Sequence, residues 1–172
     1  MQNTNTRKYI FMGLLIGLAI VFTRLVQIPV SLPFGFSDRV SLGFLPVAIA
    51  GSLFGALGGT LVGGVEDLIR AIIFPQGAFN PFFTVNAALR GAVYGITLKK
   101  MNFTNVLVAS IIIFLLNNTL IISAIISFFY GQPFSVAIVS KLPVSALNCV
   151  VQVLVLSLAG IPIERKLSYV RK

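Results

Sequence analysis

LGFLPVAIAGSLFGALGGTLVGGVEDLIRAIIF, residues 42 to 74, decides how the rest of the chain is read. A helix needs about 20 apolar residues to cross some 30 Å of hydrocarbon. This stretch is too long for one crossing and barely enough for two. Its centre, Gly55-Ala56-Leu57-Gly58-Gly59, suits a tight turn between two short helices. Dividing it there sets the count for the chain. Segments near 8–28, 104–128 and 137–163 are each long and apolar enough to span. A further helix near 83–98 lies between the Pro75-Gln76-Gly77 turn and Lys99-Lys100. The expectation is an all-α membrane protein, a bundle of six transmembrane helices formed by a single domain over residues 1–172.

Composition agrees with that class. The chain is 57% hydrophobic and 10% charged, where a soluble domain carries about 25% charged residues. It has no His, and its one cysteine, Cys149, lies in an apolar stretch. Neither a disulfide framework nor a Cys/His metal site is expected. Arg7 and Lys8 precede an apolar run that continues to about Val26 without a small-residue cleavage pattern, so it reads as a retained span rather than a signal peptide. With six spans, Arg7, Lys8, Lys99, Lys100, Arg165, Lys166, Arg171 and Lys172 fall on one side. The positive-inside rule makes that side, with both termini, cytoplasmic. The loops at about 29–41, 75–82 and 129–136 are then external. Topology accounts for the net charge of +9, and no basic helix interleaved with aromatics points to nucleic acid.

Arg24, Arg39, Arg70, Arg90 and Lys141 remain after that accounting. A cation within a membrane helix costs about 2.5–3.5 kcal/mol on insertion scales, so it should face a polar interior and a partner. Asp38, Glu66 and Asp67 are the acids within reach. Glu66 and Arg70, four apart, suit either an ion pair or a ligand contact. The cations left over make an anionic ligand the economical answer. Lys141, Ser145, Asn148 and Gln152 share one face of the last helix. Asn86 and Arg90 are one turn apart on the fourth, and the fifth carries Asn117 and Asn118. Such residues line a pocket or act as interhelical glue. Phe79, Phe82 and Phe83 could form a wall for a flat ring, or sit at the membrane interface. Gly13 and Gly17, and the series Gly51, Gly55, Gly59 and Gly63, allow close helix contact, internal or with another membrane subunit.

Motifs for chemistry are missing. There is no G-x-x-x-x-G-K-[ST] loop and no G-x-S-x-G elbow, and Glu66 and Asp67, adjacent in sequence, diverge around a helix. ATP-driven uptake would need partner subunits. A membrane-embedded enzyme and a purely structural subunit are the readings from other classes. An inverted-repeat transporter of the usual size would not fit.

Arg39-Val-Ser-Leu-Gly-Phe-Leu-Pro46, Ala50-Gly51-Ser52-Leu53-Phe54-Gly55, Asp67 and Phe74-Pro-Gln-Gly-Ala-Phe-Asn-Pro-Phe-Phe-Thr84 resemble the substrate-binding S components of energy-coupling factor vitamin transporters, the folate family above all. Asn118-Thr119 and Tyr130-Gly131 extend the resemblance. It implies a six-helix bundle in the bacterial cell membrane that binds a vitamin near its external side. It also implies a transmembrane coupling subunit (the T component) and two ATPase subunits as partners, with ATP and Mg2+ used by the latter and no cofactor held by this chain. Carried onto this sequence, the pocket comprises Arg39, Phe79, Phe82, Phe83, Asn86, Arg90, Asn118, Lys141, Asn148 and Gln152. Gly13 and Gly17 take the place of the family's small-residue docking motif. The chain departs from the family at Phe82, where a glycine is usual, at Ile121, where an aromatic is usual, and at Arg90, where the residue is small or neutral. Folate, a flat pterin with carboxylates, is the first substrate expected; pantothenate, a smaller carboxylate, is the alternative.

Overall fold

Five helical elements carry the fold among the described residues, where the sequence leads to six. The structure is a computed structural model, described here for residues 4–31, 37–75 and 79–167. The helices are α1 (Thr4–Leu25), α2 (Phe44–Ile73), α3 (Pro81–Thr97), α4 (Phe103–Tyr130) and α5 (Phe134–Leu167). Thr6–Leu25, α2, α4 and α5 are each long and apolar enough to cross a membrane. Their large apolar side chains face outward freely, Leu25 at 76%, Leu57 at 80% and Phe128 at 84% exposure. That arrangement suits lipid rather than water.

The difference in count lies at Gly55. Its φ of 74° and ψ of −167° belong to a backbone region open to glycine, and they interrupt the helical geometry of α2. A β-carbon added to Gly59 would lie 3.1 Å from the Gly51 Cα, and one on Gly63 would lie 3.3 Å from the Val47 side chain. Eight residues of straight helix cover about 12 Å, so α2 doubles back at Gly55. The helix expected after residue 55 is its second arm rather than a separate element. Gly51, Gly59 and Gly63 thus serve internal packing, and they meet α3 as well. Added β-carbons would sit 2.0 Å from the Gly59 oxygen at Gly91 and 2.7 Å from the Ala87 oxygen at Gly63. Only glycine lets backbones approach this closely.

Local chemistry accounts for the other boundaries. The Asn80 side chain accepts a hydrogen bond from the Phe82 N–H at 3.0 Å, and Pro81 opens α3 where its missing N–H costs nothing. Gly131, at φ 68°, ends α4 in the left-handed conformation. Within α4, residues Ile113–Ile121 widen into a π-helical stretch, as do Leu156–Gly160 within α5.

The segment expected to be an external loop over 29–41 holds most of an antiparallel hairpin. Strand β1 (Gln27–Ser31) pairs with β2 (Ser37–Ser41), with Ile28 opposite Val40 and Pro29 opposite Arg39. The ladder satisfies backbone groups that a membrane boundary could leave unpaired. Val40 is buried against Val144 of α5, which seats the hairpin on the bundle. The core beneath joins Val47 and Val62 of α2, Tyr94 of α3, Val106 and Ile113 of α4, and Leu156 of α5.

Candidate ligand-binding site

A polar cavity of about 130 Å³ lies where the hairpin, the start of α2 and helices α3 to α5 converge. Ser41, Phe44, Arg90, Asn118, Ile122, Ser145, Asn148 and Gln152 line it. Its lining combines one guanidinium with three side-chain amides. Arg90 Nε is buried without a hydrogen-bond partner, and so is Oε1 of Gln152, a residue 3% exposed. A buried donor or acceptor left unpaired costs about 1–3 kcal/mol. A ligand that presents an acceptor to Arg90 and a donor to Gln152 recovers that cost.

Two adjacent asparagines of α4 point to different surroundings. Asn117, 1% exposed, donates through Nδ2 to the Asn86 side-chain oxygen at 2.9 Å and to its backbone oxygen at 3.2 Å. Asn118 faces the cavity, and its backbone oxygen accepts from the Ser145 hydroxyl at 3.4 Å. Asn86 therefore ties α3 to α4 instead of lining the cavity, while Asn118 does line it.

The buried acids have partners of their own. Glu66, 2% exposed, and Asp67, 6% exposed, both pair with Arg70; the Glu66 contact is 3.7 Å. Thr23 of α1 donates to Glu66 at 3.0 Å and Thr84 of α3 donates to Asp67 at 2.9 Å. The Glu66–Arg70 alternative of pair or ligand contact is met by a pair, and one network ties three helices together. Arg24 stacks over the Phe74 ring at 5.1 Å. Among the described residues, Arg90 is the cation that lines the cavity.

Of the residues expected at the site, Arg90, Asn118, Asn148 and Gln152 come together here. Lys141 is half-buried on α5 and lies outside the lining. Arg39 is held in β2 opposite Pro29, and its side chain lies outside the described residues. Phe79 and Phe82 are more than half exposed. Phe82 packs on Phe129, ring centroids 5.0 Å apart, along an open apolar groove with Phe128 and Phe134. Phe83, half-buried, does not line the cavity either. The apolar wall is formed instead by Phe44 and Ile122. Phe44 belongs to the quoted block at residues 39–46, and Ser145 to the polar stripe on the last helix, so both carried a signal. Ile122 carried none. Gly13 and Gly17 lie exposed on α1, with open space where a methyl group would stand.

Comparison with known proteins converges on one family. Residues 7–159 match the family model described as "ECF transporter, substrate-specific component". The folate transporter FolT of Clostridium novyi (strain NT) is 35% identical over 135 residues, covering 77% of this chain and 76% of that protein. A crystal structure of FolT bound with folic acid superposes with a TM-score of 0.78 at 26% identity, over 95% of this chain and 97% of that one. The S component for biotin of an ECF-type ABC transporter shares the fold, with a TM-score of 0.67 at 18% identity, over 98% of this chain and 94% of that one. The chain, an integral membrane protein, belongs to the substrate-specific components of ECF transporters.

Proposed function

We propose that this chain captures folate at the outer face of the membrane and delivers it for ATP-driven import. The observation that carries this reading is the 35% identity to a folate transporter across most of both chains. The cationic, amide-lined cavity behind the β-hairpin supports it. A carboxylate meets Arg90, and the amides of Asn118, Asn148 and Gln152 read polar ring or amide edges. The chain crosses the membrane six times when both arms of α2 are counted, with its termini in the cytoplasm as one integral domain. It binds no cofactor and works with a T-component coupling subunit and two ATPase subunits, which use ATP and Mg2+. The open face of α1 around Gly13 and Gly17 is where the coupling subunit docks.

Pantothenate is a second reading, favoured by cavity size. Sites for drug-sized ligands enclose about 300–1,000 Å³, and this one measures about 130 Å³. Isothermal titration of the purified protein against folate and pantothenate separates the two. Arg90→Ala is expected to weaken the bound vitamin at least about tenfold, or 1.4 kcal/mol. Binding of pantothenate alone would replace the folate assignment; silence with both would remove the pair.

A further inference from the structure

We infer that an anionic phospholipid occupies a groove between the start of α1 and the bend of α2, with its phosphate on Lys8 and an acyl chain along the apolar floor. The groove encloses about 450 Å³, within the roughly 300–1,000 Å³ of small-molecule sites, and shares no lining residue with the polar cavity. Lys8, Tyr9 and Met12 line it from α1, and Phe54, Leu57 and Leu61 from α2. Glycines shape the hollow. At Gly55, where α2 turns back, an added β-carbon would meet nothing within 4 Å, while at Gly58 one would lie 3.0 Å from the Met12 methyl carbon. Met12 thus seats α1 on α2 directly beside an open bend.

Charge and depth select the occupant. Thr6–Leu25 is long and apolar enough to span a membrane, so Lys8, in the first turn of that stretch, stands at the level of the headgroups. Met12 lies one turn, about 6 Å, further in on the same face. Leu57 is 80% exposed and Leu61 53%, so the floor is open to lipid from the side. Lys8 is half-buried, and among the described residues it has no carboxylate partner. An ammonium without an anion at the mouth of an apolar groove matches a molecule with a negative head and a hydrocarbon tail. The Tyr9 hydroxyl adds a donor for phosphate oxygens at the same mouth. A zwitterionic headgroup brings its own cation to Lys8, and a soluble phosphate leaves the apolar floor uncovered. Gly13 lies about 100° round α1 from Met12. The lipid therefore borders the face proposed for the coupling subunit without covering it, and the reading is independent of which vitamin the polar cavity takes.

Native mass spectrometry of the full-length protein in detergent tests this by counting bound lipid during titration with dioleoyl phosphatidylglycerol or dioleoyl phosphatidylcholine. The first phosphatidylglycerol is expected to bind at least about fivefold more tightly than phosphatidylcholine, the worth of one cation beside an anionic headgroup. Lys8→Gln should bring that preference below about twofold, and Lys8→Arg should retain it. Arg7→Gln, at a neighbouring cation outside the groove, should change it less than about twofold. Glycerol 3-phosphate, a headgroup without acyl chains, should not displace the lipid. Equal binding of the two lipids by the wild type, or equal losses with Arg7→Gln and Lys8→Gln, overturns the inference in favour of ordinary solvation by lipid. Displacement by glycerol 3-phosphate makes the groove a phosphate site and overturns it too. A Lys8→Gln protein that keeps its lipid preference but no longer captures the coupling subunit assigns the groove to that subunit instead.

Discussion

Adding one methyl group at Gly91 is expected to unseat α3 from α2. A β-carbon there would sit 2.0 Å from the Gly59 oxygen, 2.4 Å from its carbonyl carbon and 3.0 Å from the Thr60 nitrogen. All three are backbone atoms, so no side-chain rotation relieves the clash. The helices must part by roughly 1 Å, and overpacking of this kind costs about 1–3 kcal/mol. Alanine's better helix propensity returns about 1 kcal/mol. With the clash near the upper end of its range, Gly91→Ala should lose about 2 kcal/mol net. Gly13→Ala is the control, because a methyl group there meets nothing within 4 Å and keeps the propensity gain. At about 2–4 °C per kcal/mol, Gly91→Ala should melt roughly 4–8 °C below wild type and Gly13→Ala slightly above it. Thermal unfolding of both variants in one detergent measures the difference. Ligand affinity should fall with Gly91→Ala as well, since Arg90 is the neighbouring residue. A Gly91→Ala protein that melts at or above wild type would refute the close-packed seam.

The paired asparagines should respond in opposite ways. Asn117→Leu removes two hydrogen bonds and leaves the Asn86 amide oxygen unpaired, for a loss of about 1–3 kcal/mol in unfolding with little change in ligand affinity. Asn118→Ala should weaken the vitamin at least about tenfold in titration while the melting temperature stays close to wild type. Arg70→Met strands two buried carboxylates at once and should cost about 3–5 kcal/mol, seen as a large drop in melting temperature or in folded yield. Phe82→Ala should leave folate affinity within about twofold by the same titration, because its ring packs on Phe129 outside the cavity.

The spans were legible because bilayer thickness imposes a length and an apolar composition that soluble folds do not need. The turn near Gly55 was legible too, from glycine clustering. How tightly its two arms fold back was not, because that closeness is set by glycine contacts between the arms and with α3. The hairpin is not legible in the sequence, since Pro29 and the mixed polarity of residues 37–41 have the character of a loop. Its pairing is fixed by a tertiary contact, Val40 on α5, that no local pattern announces. Polar positions were easy to nominate and hard to rank. Asn86 and Asn118 look alike in sequence, and only the packing of α4 against α3 and α5 decides that Asn117 meets Asn86 while Asn118 lines the cavity. Aromatic residues misled for a related reason: beside a membrane, Phe suits lipid as readily as a ring, and Phe82 faces outward while the inconspicuous Phe44 lines the cavity.

The π-helical stretch at Ile113–Ile121 gives α4 two halves, each with its own phase. An α-helix advances about 100° per residue, so its whole surface normally shares one phase. A π-helical stretch shifts the phase, so Phe103–Ile112 and Ile122–Tyr130 each set their own phase while packing on the same helices, α3 and α5. Sliding that shift by one position would re-aim the residues around Asn117 and Asn118 while both flanking segments kept their seating. Site chemistry in this scaffold can therefore change by a shift of register inside one helix, leaving the rest of the bundle as it stands.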